Sequence, residues 1–194
     1  LLTADQMRAA DARTIAAGVA GYDLMRRAGR GVVDVMAQCY DKQPVLVLAG
    51  TGNNGGDGYV IAQLLQDEGW SVRLAALEGK KPTSGDAALA AQDYEGAVEV
   101  LTPEFVFENH LIVDALFGTG LARPIEGVLA RVIARVNASG CDVLAVDIPS
   151  GIDATSGAVL GNAIQADMTV SFACKKRGHL LMPGLEYCGE VVVC

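Results

Sequence analysis

The sequence predicts a three-layer α/β/α sandwich built on a doubly wound, mostly parallel sheet. Three observations carry that expectation. Short, continuous apolar runs alternate with segments of helical period, as strands covered on both faces by crossover helices require. The first such run opens directly into a glycine-rich turn and then a helix. The composition, 51% apolar with 23 glycines and only 5% aromatics, favours close packing of helices on a sheet.

In chain order, Thr3 and Gln6 have the spacing of a capping box and open a first helix. A second helix is expected from Tyr22 to Cys39, where Leu24, Met25, Ala28, Val32, Val35, Met36 and Cys39 recur at helical spacing. Pro44 introduces a strand over Val45–Ala49. The helix after it carries Val60, Ile61, Leu64 and Leu65 on one side and stops at Gly69. Ser71 to Leu77 reads as the second strand, and Ser84 as the N-cap of an alanine-rich helix. Further strands are expected over Ala97–Leu101, Leu111–Phe117, Val143–Asp147 and Met168–Phe172. A helix marked by Val128, Leu129, Val132, Ile133 and Val136 stands between the second and third of these. Strands are expected to alternate with helices throughout, because parallel neighbours need crossovers, almost always right-handed.

The 194 residues suit one domain, 1–194. Glu190–Cys194 reads as a strand cut short, so the natural protein is expected to continue. The net charge of −8 disfavours nucleic acid or anionic membrane as partner, since both demand clustered lysine and arginine. No apolar run reaches the ~20 residues of a membrane span. Five widely spaced cysteines without a Cys-x-x-Cys read as thiols in a reducing compartment, and the cytoplasm is the expected location. Neither His110 nor His179 is given a role.

In a doubly wound sheet, ligands bind beyond the carboxyl ends of the strands, so the residues that follow strands matter most. After the first strand comes Gly50-Thr51-Gly52-Asn53-Asn54-Gly55-Gly56-Asp57-Gly58. Its glycines allow close approach to the backbone, and the helix N-terminus behind it suits a phosphate or pyrophosphate. The run satisfies G-x-G-x-x-G but is not a P-loop, because Gly56-Asp57 stands where Lys-Ser/Thr is required. After the next predicted site strand, Asp114 lies within an apolar run and must be paired, protonated or bound to a cation. The following Gly118–Pro124 can wrap a ligand, with Arg123 placed to meet a phosphate. The third site is Val146-Asp147-Ile148-Pro149-Ser150-Gly151, whose rigid turn would aim Asp147 and Ser150 into the cleft. Asn54, Asp114 and Ser150 form a hard-oxygen set suited to an alkali or alkaline-earth cation. Lys80, in the charged loop Lys80-Lys81-Pro82, is a second catalytic candidate if it reaches over the cleft; a solvated loop is the competing reading.

These motifs together resemble the NAD(P)HX epimerases, or YjeF N-terminal domains. The matching segments are Leu2–Met7, Ala49–Gly58, Val113–Gly120, Val146–Asp153, Lys175–Gly178 and Pro183-Gly184. The resemblance implies a Rossmann-like fold and a substrate, NADH or NADPH hydrated at C6 of the nicotinamide ring, whose R and S forms are interconverted. It implies substrate loops at Asn53, Asn54, Gly55, Gly56 and Asp57 and at Gly118, Thr119, Gly120, Leu121, Ala122, Arg123 and Pro124, with Asp147 also on the substrate. It implies one potassium ion per subunit on Asn54, Asp114 and Ser150. The expected functional partner is an ADP- or ATP-dependent dehydratase, in many bacteria fused behind this domain. A homodimer is expected, supported by the helices over residues 3–39. Asp147 is the candidate general acid and base at the C6 hydroxyl. Two competing readings are an NAD(P)-dependent dehydrogenase, with Glu78 near the place of a ribose-binding acid, and a non-catalytic binding module of the same fold.

Overall fold

A computed structural model describes residues 1–107 and 110–194. Seven strands form one sheet in the order β3-β2-β1-β4-β5-β6-β7, every adjacent pair parallel. They are β1 (Val45–Ala49), β2 (Val72–Leu77), β3 (Val98–Leu101), β4 (Leu111–Ala115), β5 (Val143–Val146), β6 (Met168–Ser171) and β7 (Glu190–Val193). The strand order reverses between β1 and β4, which makes their carboxyl ends the switch point where this architecture opens a crevice.

Strand alternation divides the core between two faces. Val45, Val47 and Ala49 of β1 point into one cluster with Val113 of β4. Helices α2 (Gly21–Cys39), α3 (Asn53–Asp67) and α4 (Gly85–Asp93) cover that face. Leu46 and Leu48 point the other way, against Leu129, Val132, Ile133 and Val136 of α5 (Gly127–Asn137). The predicted three layers are therefore present.

α1 (Ala4–Ala16) begins with the expected capping box: Gln6 N–H donates to Thr3 Oγ1 at 3.2 Å and Thr3 N–H to Gln6 Oε1 at 2.9 Å. α2 buries Met25, Val32, Val33 and Met36, but Cys39 of the predicted stripe is exposed. Gly69, with φ 79°, follows the end of α3 in the left-handed conformation that stops helices. Ser84 occupies the N-cap of α4, yet its side chain makes no capping bond.

Two expectations need correction. Strands and helices do not alternate throughout: no helix joins β5 to β6, nor β3 to β4 among the described residues. Between β5 and β6, Pro149, Gly151, Gly157 and Gly161 break any helical run, and all three glycines adopt positive φ. The site strands are also shorter than predicted. β4 stops at Ala115, β5 at Val146 and β6 at Ser171; Asp147 (φ 68°), directly after β5, and Ala173 (φ 60°), two residues after β6, leave the extended region. Beyond β6, a 3-10 turn (Arg177–His179) and the short helix α6 (Gly184–Tyr187) lead to β7.

Candidate functional site

The crevice at the switch point is built from three loops that touch one another. The first follows β1 and runs into α3. Gly50 N–H donates to Ala115 O at 3.0 Å, tying it to the end of β4. A side chain at Gly55 would place its Cβ 1.9 Å from Gly50 O, so the loop folds back on itself too tightly for any residue but glycine. Asn53 is exposed, while Asn54 is buried in the first turn of α3. The second loop reaches the first at Gly118, where an added Cβ would lie 3.1 Å from Asn54 Oδ1. Gly118, Thr119 and Leu121 are half-buried, and Gly120, Ala122, Arg123 and Pro124 are exposed, giving an open rim.

Asp114 and Ser150 join the second loop to the third. Ser150 N–H donates to Asp114 Oδ2 at 2.8 Å, and its hydroxyl to Oδ1 at 2.7 Å. Leu116 N–H donates to the same Oδ1 at 3.2 Å. Phe117 N–H donates to Ser150 Oγ at 2.8 Å, and Phe117 O lies 3.1 Å from that hydroxyl. Asp114 and Ser150 are wholly buried. All partners of this carboxylate are neutral, and burial pushes it up to about 6 despite their hydrogen bonds. Beside it, the Asn54 amide nitrogen is buried without an acceptor among the described residues. Of the predicted oxygen set, Asp114 and Ser150 are thus bonded to each other, Asn54 meets the loop that follows them at Gly118, and the buried carboxylate has no cationic partner among the described residues. A hard cation would fit the carboxylate, whereas the Asn54 amide N–H calls for an acceptor. No group of three His, Cys, Asp or Glu side chains suited to a metal occurs among the described residues, so a transition-metal site has no such support.

Asp147 stands one residue beyond β5, at the centre of a γ-turn in which Ile148 N–H donates to Val146 O at 2.9 Å. A second such turn lies at the end of the neighbouring β6, where Cys174 N–H donates to Phe172 O at 2.6 Å around Ala173. A positive φ at a non-glycine residue costs free energy and marks a position that the surroundings enforce. Asp147 is 8% exposed.

Two residues that sequence reasoning left without a role hold this turn. Lys176 is buried, and its ammonium donates to Asp147 Oδ1, to Ser171 Oγ at 2.9 Å and to Phe172 O at 3.2 Å. His179, also buried, accepts Lys176 N–H at Nδ1, 3.1 Å away, and its Nε2–H donates to Asp147 O at 2.9 Å. An accepting Nδ1 requires the neutral ring. Burial favours the same state, pushing the imidazole below its ordinary value. The one sequence signal for these residues was their place in a matching segment, Lys175–Gly178, and its edge.

Asp57, in the first loop, faces this group. Burial holds its carboxyl well above the usual range, and the charges of Asp147 and Asp11 add to the effect while Lys176 opposes it. Asp11 of α1, exposed but partly shielded from solvent, is raised by that partial desolvation, which Lys176 opposes and Asp147 reinforces. Lys80 is exposed beyond the end of β2 and pairs with Glu78. Glu78, the ribose candidate of the dehydrogenase reading, is engaged in the same surface pair.

Comparisons with known proteins give the family. The family model described as YjeF-related protein N-terminus matches residues 21–178. The chain is 41% identical to the NAD(P)H-hydrate epimerase of Limosilactobacillus fermentum, covering 99% of this chain and 94% of that protein. It is 36% identical to the bifunctional NAD(P)H-hydrate repair enzyme Nnr of Coxiella burnetii, covering 97% of this chain but only 39% of that longer protein. The crystal structure of yeast ynu0 superposes with a TM-score of 0.77 at 21% identity, covering all of this chain and 86% of the yeast one, which shows the shared fold.

Proposed function

The chain belongs to the YjeF-related N-terminal family, and from that premise we propose that it is an NAD(P)H-hydrate epimerase, interconverting the R and S forms of hydrated NADH or NADPH. The supporting observation is a carboxylate, Asp147, fixed at a strand end beside two loops able to hold a nucleotide. Whether the C6–O bond or the ring C6–N1 bond opens, one proton must be moved at the C6 oxygen and returned on the other face. If C6–N1 opens, a positioned carboxylate takes the hydroxyl proton as the bonding pair leaves on N1 and returns it when N1 adds to the other face of the aldehyde. If C6–O opens, the carboxyl first protonates the hydroxyl, which leaves as water, and then takes a proton from the water adding to the other face. Asn53–Asp57 and Gly118–Pro124 would hold the substrate, the helix N-terminus facing its phosphates.

Asn54, Asp114 and Ser150 would hold a potassium ion, whose charge would offset that of Asp114 and help anchor the anionic ligand. The S form made here would pass to an ADP- or ATP-dependent dehydratase; relatives named bifunctional repair enzymes carry more chain than this domain. A homodimer through the N-terminal helices and a cytoplasmic location complete the reading. Supporting the latter, all five cysteines are free, and no helix among the described residues is long and apolar enough to cross a membrane.

The test couples the protein to an S-specific dehydratase with R-enriched NADPHX and follows NADPH at ~340 nm, the absorbance of the reduced nicotinamide itself. Recovery should accelerate in proportion to added protein. Folded protein that gives no acceleration with potassium present would refute the epimerase reading. Asp147→Asn that keeps the full rate would refute the role of Asp147 alone.

A further inference from the structure

We propose that Lys176 is a positioning residue for the reaction: it locks one oxygen of Asp147 so that the other, Oδ2, is the atom that exchanges the proton. This rests on the reading of Asp147 as the proton-handling group.

The hydrogen bonds of Asp147 carry the inference. Its N–H donates to Val170 O at 2.8 Å, and its carbonyl accepts from His179 Nε2–H at 2.9 Å. Oδ1 accepts from the Lys176 ammonium. Among the described residues, Oδ2 has no such partner. Lys176 is equally committed, since its three ammonium hydrogens are matched by Asp147, Ser171 and Phe172. The ammonium is thus a fixed clamp on a single oxygen of a side chain whose backbone is already fixed.

A purely structural role explains this poorly. Burying a lysine is costly, and a buried ion pair usually stabilises no better than well-packed apolar residues of the same size. Here the pair is only 1% exposed at the lysine side chain and 12% at the aspartate, and it sits at a strained turn on the crevice. Among the described residues, Asp57 from α3, Asp11 from α1, His179 and Cys194 are further titratable groups that feel its charges. Among the described residues, the one carboxylate that the ammonium contacts is that of Asp147, at the strand end.

The coupled epimerase assay tests this with Lys176→Met, Lys176→Arg, Lys176→Ala, Ser171→Ala and Asp147→Asn, each checked for folding by circular dichroism. Displacing a reacting group by an ångström costs on the order of 100-fold in rate. Lys176→Met should lose that much in kcat with KM unchanged, and Lys176→Arg should recover part of it. Adding Asp147→Asn to Lys176→Met should cost nothing beyond Asp147→Asn alone, as expected of groups acting as a unit. Ethylammonium should restore Lys176→Ala, whereas ethanol, of similar size but neutral, should not.

Wild-type kcat in Lys176→Met with Asp147→Asn inactive would overturn the clamp and leave the role of Asp147 standing. Wild-type kcat in Asp147→Asn would overturn that role itself. Equal rescue by ethanol would reduce Lys176 to a space-filler. If the lysine variants fail to fold, Ser171→Ala decides: a several-fold loss in kcat at constant KM supports the clamp, and an unchanged kcat overturns it.

Discussion

Replacing His179 by glutamine probes the neutral imidazole on which the Asp147 turn leans. The ring accepts Lys176 N–H on one side and donates to Asp147 O on the other. A glutamine amide cannot occupy both positions, so at least one buried backbone group loses its partner, at about 1–3 kcal/mol. Taking about 2 kcal/mol, and about 2–4 °C per kcal/mol for a domain of this size, Tm should fall by about 6 °C near neutral pH. The sign with pH follows from the lowered pKa. Below about pH 6.5 the unfolded chain binds a proton on His179 that the folded chain refuses. The wild type therefore has its full advantage above that value. It loses the advantage as pH falls from about 6.5 toward the folded pKa, by up to about 1.4 kcal/mol per pH unit. Glutamine has no such proton, so the stability gap should narrow on acidification. Asp57, whose raised pKa favours the folded state more at low pH, acts with the opposite sign, but it is common to both proteins and cancels. Urea unfolding followed by the fluorescence of Trp70, the single tryptophan and a buried one, would measure the gap from roughly pH 8 to pH 5.5. A gap that stays constant or widens on acidification would refute the neutral ring.

Three further outcomes follow from the geometry. Gly55→Ala drives a methyl to 1.9 Å from Gly50 O, a backbone atom that cannot swing away, and should cost about 3 kcal/mol or more, read as a Tm lower by about 10 °C. Tyr59→Phe deletes a buried hydroxyl that has no partner among the described residues while keeping the ring packed edge-on against Tyr94, and thermal denaturation should show stabilisation of about 1 kcal/mol. Potassium should stabilise the fold over an equal ionic strength of a bulky organic cation by about 2.7 kcal/mol at a hundredfold excess over Kd, read as a Tm higher by about 8 °C, and Asp114→Asn should abolish that difference.

The layers were legible in the sequence because they depend on local pattern. Val45–Ala49 is apolar at every position and is buried at every position. Asp114 inside an apolar run announced a special site, since a carboxylate buried there needs a hydrogen-bonding partner, a proton or a cation. Asn54 and Ser150 joined it by their place after strands, and the fold bonds Ser150 to Asp114 and sets Asn54 against Gly118 of the loop that follows. Lys176 and His179 were not legible for the opposite reason. Their partner Asp147 is 29 and 32 residues away, and nothing local separates buried Lys176 from its less buried neighbour Lys175. The γ-turn at Asp147 was invisible too, because its strain is imposed by contacts from β6 and the loop beyond it. Apolar character outlasts extended backbone at Phe117 and Phe172, and at Asp147 the chain turns to positive φ directly after Val146.

The position of β1 between β2 and β4 has a consequence for how this chain meets the ribosome. β1 precedes its second neighbour by 66 residues (111 − 45). At about 5–20 residues per second of synthesis, that leaves roughly 3–13 s in which one edge of β1 stays open. During that interval Val45–Ala49 is an uncharged, apolar, proline-free segment of strand-forming residues, the kind that pairs with copies of itself on other nascent chains. Yield of folded protein should therefore depend on translation speed and on chaperones that mask a short apolar strand, and both act before any part of the crevice exists.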